Sequence, residues 1–102
     1  TLALKPARLR PTAKRDVREA VAWYQERDRD LAARFLDAIY TTIALLERFP
    51  NLGTSVYGIG DPNVRQLPVD RFPYQVVFRR EKHALVVVAI AHERKRPGYW
   101  NE

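Results

Sequence analysis

The sequence predicts an α+β domain of order β-α-α-β-β-β, a helical hairpin packed on a small, mostly antiparallel sheet. Three observations carry this expectation. Apolar residues recur at three- and four-residue spacing through 13–24 and again through 31–49, the periodicity of two helices that each bury one face. A continuously apolar, Val-rich run at 84–91 reads as a central strand buried on both sides. Between these halves, Pro50, Gly53, Gly58, Gly60 and Pro62 mark a loop. The 102 residues suit one domain, spanning 1–102.

Taken in order, residues 2–10 alternate loosely around Leu2, Leu4 and Leu9, with Pro6 and Pro11 punctuating them; a short edge strand tolerates such prolines. Thr12 is the expected N-cap of the first helix, and Asp16 sits where a helix N-terminus favours an acid. Ala13, Val17, Ala20, Val21 and Tyr24 form its apolar face, widened by Trp23. Asp30 is the expected cap of the second helix, whose stripe runs through Leu31, Phe35, Ala38, Ile39, Thr42, Ile43, Leu46 and Phe49 until Pro50 stops it. Few residues separate the helices, so an antiparallel hairpin follows. Residues 50–63 read as loop throughout. Val64, Gln66, Leu67 and Val69 suggest a strand, and Tyr74, Val76 and Phe78 another. A polar turn at 80–83 then implies antiparallel pairing with the run at 84–91.

Composition excludes several classes. There is no cysteine, hence no disulfide and no thiolate chemistry. The longest apolar run is far short of the ~20 residues of a membrane-spanning helix, and residues 1–10 lack the apolar core of a secretory signal. A cytoplasmic setting and no membrane partner are the expectation. No His/Asp/Glu cluster has metal-ligand spacing, and the loop glycines precede no strand-to-helix junction that would make a phosphate loop, so no cofactor is expected. Glu26, Asp28 and Asp30, interleaved with Arg27 and Arg29, read as a solvated turn.

The net charge is +6, unevenly spread: residues 1–15 carry five basic groups and no acid, 65–82 five basic and two acidic groups, and 16–50 five basic and seven acidic. Such a pattern suits a nucleic acid or an acidic protein partner. The segment 92–100 is the leading candidate for a working surface. Arg94, Lys95 and Arg96 offer phosphate-binding charge, and Tyr99 and Trp100 offer faces for stacking. The structural alternative is that Tyr99 and Trp100 fold back over the open face of the sheet, and for Trp100 that is the preferred expectation. His92 has the residue chemistry of a general acid or base, although a lone His at a strand end is more often structural. His83 belongs to an exposed turn. With Arg65, Arg71, Arg94, Arg96 and Tyr99, His92 supplies the residue types that RNA cleavage through the 2′-hydroxyl requires.

Several landmarks together resemble the RelE/ParE superfamily of bacterial type II toxins. They are Arg8-Leu9, Thr12-Ala13, Asp16-Val17, Ala33 and Phe35-Leu36, then Leu46, Phe49-Pro50 and Gly53. Val64-Arg65, Leu67-Pro68-Val69 and Arg71-Phe72-Pro73-Tyr74 follow, and the series closes on His92, Arg94, Arg96-Pro97 and Tyr99-Trp100. They span about residues 5–100, and their order and spacing are specific jointly. The resemblance implies a growth-arresting toxin silenced by a cognate ParD-like antitoxin in a hetero-oligomer. That antitoxin is implied to be acidic in its docking segment and to lie across the helices and sheet, at Trp23, Tyr24, Phe35, Ile39, Arg71 and Tyr74.

Two branches exist. RelE-like members cut messenger RNA on the ribosome; the matching set here is Arg65, His92, Arg94 and Tyr99. ParE-like members poison DNA gyrase. Glu93 falls where the RelE-like branch places its last arginine, and residues 51–64 contain no lysine or arginine. The His92-x-Arg94 pattern after an Ile-Ala strand end is similar to ParE-like toxins. The ParE-like, non-enzymatic reading is preferred, with His92, Arg94, Lys95, Arg96, Tyr99 and Trp100 as its target-binding residues. The ribosome-dependent nuclease is the alternative, and a module that keeps antitoxin binding but has lost toxicity is a third.

Overall fold

The computed structural model describes residues 6–101. Leu2 and Leu4 of the expected first strand lie outside them; within them the strand is β1, Ala7–Leu9. Helix α1 follows at Pro11–Gln25 and α2 at Arg29–Arg48, then strands β2 (Thr54–Ser55), β3 (Val64–Pro68), β4 (Tyr74–Arg80) and β5 (Leu85–His92). A short 3-10 turn at Tyr99–Asn101 is the last described element. The two-residue β2 lies inside the stretch expected to be loop throughout. It exists because β3 offers it a partner, Thr54 opposite Gln66 and Ser55 opposite Arg65.

Both helix caps differ from expectation. Arg10, not Thr12, occupies the N-cap of α1, with no side-chain cap and Pro11 in the first turn. Proline suits that position because its fixed φ is helical and its missing N–H would be unpaired there anyway. The Arg10 amide is already used, donating to Val87 O at 2.9 Å. Asp28, not Asp30, caps α2: its carboxylate accepts from the Asp30 amide at 2.9 Å and the Leu31 amide at 3.4 Å.

The sheet order is β1-β5-β4-β3-β2. Only β1 and β5 run parallel among these neighbours; the other pairs are antiparallel. Seven of the eight residues of β5 are buried, as a central strand demands. A bulge interrupts its ladder with β4: Val77 faces Ala89 and Phe78 faces Val87, so Val88 is the extra residue. The bulge lets Val87 and Ile90 both point to the helices, where they join Phe35, Ile39, Leu46, Val76, Phe78 and Leu85 in the main core. On the other face Val64, Val77, Val86, Val88 and Ala89 form a second apolar cluster, covered by Val56, Ile59, Tyr99 and Trp100.

Two helix carboxylates serve the free edge on the β1 side. Glu47 of α2 accepts from the Ala7 amide at 2.8 Å. Asp16 of α1 accepts from the Ile90 amide at 3.0 Å, just past the end of β1. Such groups would otherwise be unpaired edge donors. Asp16 therefore faces the sheet rather than the helix dipole. At the opposite edge, Gly53 has φ +98°, and a Cβ there would lie 2.8 Å from Gln66 O and 3.2 Å from the Phe78 ring; only glycine lets the loop pass so close.

Candidate functional site

The site is assembled where β5 leaves the sheet. Tyr74 at the start of β4 lies opposite His92 at the end of β5, and their rings meet edge-on at 5.0 Å. Beyond His92 the chain turns sharply. The Glu93 amide donates to Pro73 O at 2.9 Å and the Lys95 amide to His92 O at 2.9 Å. The Arg94 amide donates to His92 Nδ1 at 3.1 Å, which makes that nitrogen an acceptor and leaves Nε2 to carry the proton of the neutral ring.

Gly98, at φ +87°, then directs Tyr99 and Trp100 back onto the fold. Their rings pack edge-on at 5.3 Å and cover the second apolar cluster. The Tyr99 hydroxyl donates to Asp16 Oδ2 at 2.7 Å, and Lys95 Nζ lies 5.0 Å above the Tyr99 ring. Burial first, then this hydrogen bond and the charge of Asp16, raise the Tyr99 hydroxyl well above the ordinary tyrosine range. Tyr99 is therefore held as a protonated donor to Asp16.

The result is a cleft of about 360 Å³ between α1 and the end of the sheet, with Asp16, Glu19, Trp23, Tyr74, His92, Lys95 and Tyr99 among its walls. Its mouth is partly aromatic. Trp23 is 51% exposed, and the Arg27 guanidinium stacks 3.6 Å from its ring. On the far flank of the hairpin a second groove of about 410 Å³ runs between α2 and the β3–β4 turn, lined by Leu31, Ala38, Thr41, Arg71 and Phe72 among others. Arg71 is held at φ +69°, a conformation an arginine rarely adopts, and its side chain is 88% exposed. Between the two grooves, Tyr24, Phe35, Phe72 and Tyr74 form one aromatic cluster.

The residues singled out from sequence separate accordingly. Arg94, Lys95 and Arg96 are exposed; His92, Tyr99 and Trp100 are half-buried. Trp23, Tyr74 and Arg71 reach the two grooves, and Tyr24 is buried with only its edge on the cleft. Phe35 and Ile39 were placed on the antitoxin surface and do not belong there: both have 0% exposure, because they hold the hairpin onto the sheet.

Of the nuclease set, His92 and Tyr99 share the cleft and Arg94 lies in the turn between them, whereas Arg65 does not join them. Arg65 lies opposite Phe78, whereas His92 lies opposite Tyr74 on the other side of the same strand; the two are offset by about 13 Å along the strand direction, with β4 between them. The Arg65 guanidinium donates to Gly53 O, and its Nε is buried without a hydrogen-bond partner. Arg65 is thus engaged in the β2–β3 corner, away from the cleft. Among the described residues no group of three or more His, Asp or Glu could hold a metal ion.

Sequence reasoning missed the part Asp16 plays here. Its signal was present, since Asp16 falls three residues after Ala13 and four before Ala20. An acid on the flank of a buried helical face needs a partner from the neighbouring layer.

A family described as "ParE toxin of type II toxin-antitoxin system, parDE" matches residues 7–97. Among solved structures, the "Chromosomal ParDE TA system from P. aeruginosa" contains a chain similar in fold. The TM-score is 0.73 at 19% identity, over 88% of this chain and 97% of that one. No curated protein matches.

Proposed function

Because the chain belongs to the ParE toxin family of type II toxin–antitoxin systems, we propose that this toxin arrests growth by inhibiting DNA gyrase and is silenced by its cognate antitoxin in a hetero-oligomer. The observation that supports the choice of target is the separation of Arg65 from the other members of the nuclease set. Arg65 is bound to Gly53 O and lies across β4 from His92, offset by about 13 Å along the strand direction, and Tyr99 is spent on Asp16. In-line attack on a phosphodiester needs base, acid and cation around one scissile bond. What the cleft rim offers instead is a charged, exposed grip at Arg94, Lys95 and Arg96, the means of a binding protein.

Residues that line the two grooves support a place for the antitoxin. Trp23 and Tyr74 on one groove and Arg71 on the other offer aromatic and arginine anchors of the kind that dominate binding energy. Its acidic segment would meet this basic chain, while apolar side chains enter the grooves. Gyrase is a cytoplasmic target, so the toxin is proposed to act there; no helix among the described residues is long and apolar enough to cross a membrane.

The test is a supercoiling assay with purified toxin and gyrase. Inhibition by toxin, reversed by the antitoxin, is expected. Normal supercoiling at high toxin excess, accompanied by codon-phased cuts in translated messages, would overturn the reading in favour of the nuclease.

A further inference from the structure

Helix α1 segregates its charges. Asp16 is turned to the sheet edge and Glu19 to the cleft. Arg10 at the N-cap, Lys14 and Arg18 follow one another at four-residue spacing, all exposed; the Lys14 amide donates to Arg10 O at 3.0 Å, so the helical run is continuous from the cap. None of the three has an ion-pair partner among the described residues, whereas Arg8 is paired with Glu81 and Arg15 with Glu19. The first turn of α1 carries no acid. Eight residues of helix place Arg10 and Arg18 about 12 Å apart along the axis.

We propose that the stripe Arg10–Lys14–Arg18 binds the sugar–phosphate backbone of a nucleic acid, on a surface separate from the gyrase and antitoxin contacts. Duplex DNA presents one negative charge per ~1.7 Å of axis, so a 12 Å row of cations covers about three phosphates on a strand. The stripe contains no apolar anchor. Protein interfaces depend on buried aromatic or aliphatic anchors, whereas backbone binding to nucleic acid proceeds on charge alone. Trp23, the exposed aromatic residue of α1, lies with Glu19 on the cleft flank, so α1 offers separate faces to a protein and to a polyanion. The contacts proposed are to the backbone, so the binding is sequence-independent. Its effect is to hold the toxin on DNA, where a DNA-acting enzyme works.

The experiment is fluorescence anisotropy of a labelled 20-base-pair duplex of mixed sequence, titrated with the full chain at several salt concentrations, with no gyrase or antitoxin present. Three phosphate contacts give a slope of log K against log[salt] of about −2.7, a loss of about 40-fold between 50 and 200 mM salt. Lys14→Glu/Arg18→Glu is expected to reduce affinity at 50 mM salt at least about tenfold and to flatten the slope toward about −1. Arg34→Glu/Lys82→Glu changes the net charge equally at other sites, and both residues are exposed. Circular dichroism checks that each variant keeps its helices. A wild-type slope shallower than about −1, equal losses in the two double variants, or polyglutamate competing as well as the duplex would each overturn the proposal. The outcome does not depend on the supercoiling assay, so either can fail alone.

Discussion

The Tyr99 hydroxyl donates to the same Asp16 oxygen, Oδ2, that accepts from the Ile90 amide. One carboxylate on α1 thus joins the central strand and the C-terminal turn. The tail that carries Arg94, Lys95 and Arg96 is anchored at both ends, by His92 in the sheet and by Tyr99 on the helix. An anchored loop loses less conformational freedom when it meets a partner.

Removing the Tyr99 hydroxyl tests this anchor. Tyr99→Phe keeps the ring packing and deletes a bond to a charged acceptor, so stability is expected to fall by about 1–2 kcal/mol in urea unfolding. Asp16→Ala also orphans the Ile90 amide, and about 2–3 kcal/mol is expected. The double variant should cost little more than Asp16→Ala alone, because the partners share one network. A neutral Tyr99→Phe would mean that ring packing alone holds the tail.

The same residue sets an alkaline limit. The folded protein holds the Tyr99 proton more tightly than the unfolded chain does. The stability that this contributes is complete below about pH 10, the ordinary tyrosine value, and is lost as pH rises above it. Tyr74 and Tyr24, both raised chiefly by burial, act in the same direction. The urea midpoint should therefore drop from about pH 10 upward, and Tyr99→Phe should flatten the drop without removing it.

Gly53→Ala is expected to be among the most damaging single changes outside the core. It adds a Cβ against the Gln66 carbonyl and the buried Phe78 ring at a positive φ. Close contact and the left-handed conformation together predict a loss of about 2–4 kcal/mol. An unchanged urea midpoint would show that the loop can move off β3.

Arg71→Gly should separate stability from binding. Relieving the positive φ is expected to raise stability by about 0.5–1 kcal/mol. Loss of the exposed guanidinium should weaken antitoxin binding at least about tenfold if Arg71 is an anchor. Calorimetric titration against the antitoxin, beside a urea curve, reads both quantities. Unchanged affinity would remove Arg71 from the interface.

Arg94→Glu/Lys95→Glu reverses two exposed charges of the tail. Gyrase inhibition should require at least about tenfold more toxin, with the urea midpoint almost unmoved because surface changes rarely exceed about 0.5 kcal/mol each. Undiminished inhibition would locate the gyrase contact elsewhere.

Elements that bury a face were readable in advance, because burial leaves a period in the chain. Both helices and the runs now seen as β4 and β5 announce themselves this way. What sequence hid depends on partners distant along the chain. Thr54–Ser55 is a strand only beside Gln66 and Arg65, amid glycines that otherwise say loop. Asp28 outcompetes Asp30 as a cap on backbone geometry alone: its φ of −167° and ψ of 117° keep it outside the helix. In the site, the exposed basic run was evident from composition, but the fixing of Tyr99 by Asp16 and the retreat of Arg65 into the Gly53 corner were not. Those are facts of layer packing, and Phe35 and Ile39 were misplaced for the same reason. An apolar stripe tells that a face is buried, not which of its members lie too deep to meet a partner.

The parallel pairing of β1 with β5 also governs the order in which this molecule can come into being on the ribosome. Residue 7 must wait for residue 85, and both helices are translated long before the strand they pack on. For most of synthesis the hairpin carries Phe35, Ile39 and Leu46 with no sheet to cover them, a state prone to sticking to whatever is near. The apolar stripe of the hairpin is thus complete, and uncovered, well before the strand that buries it has been made.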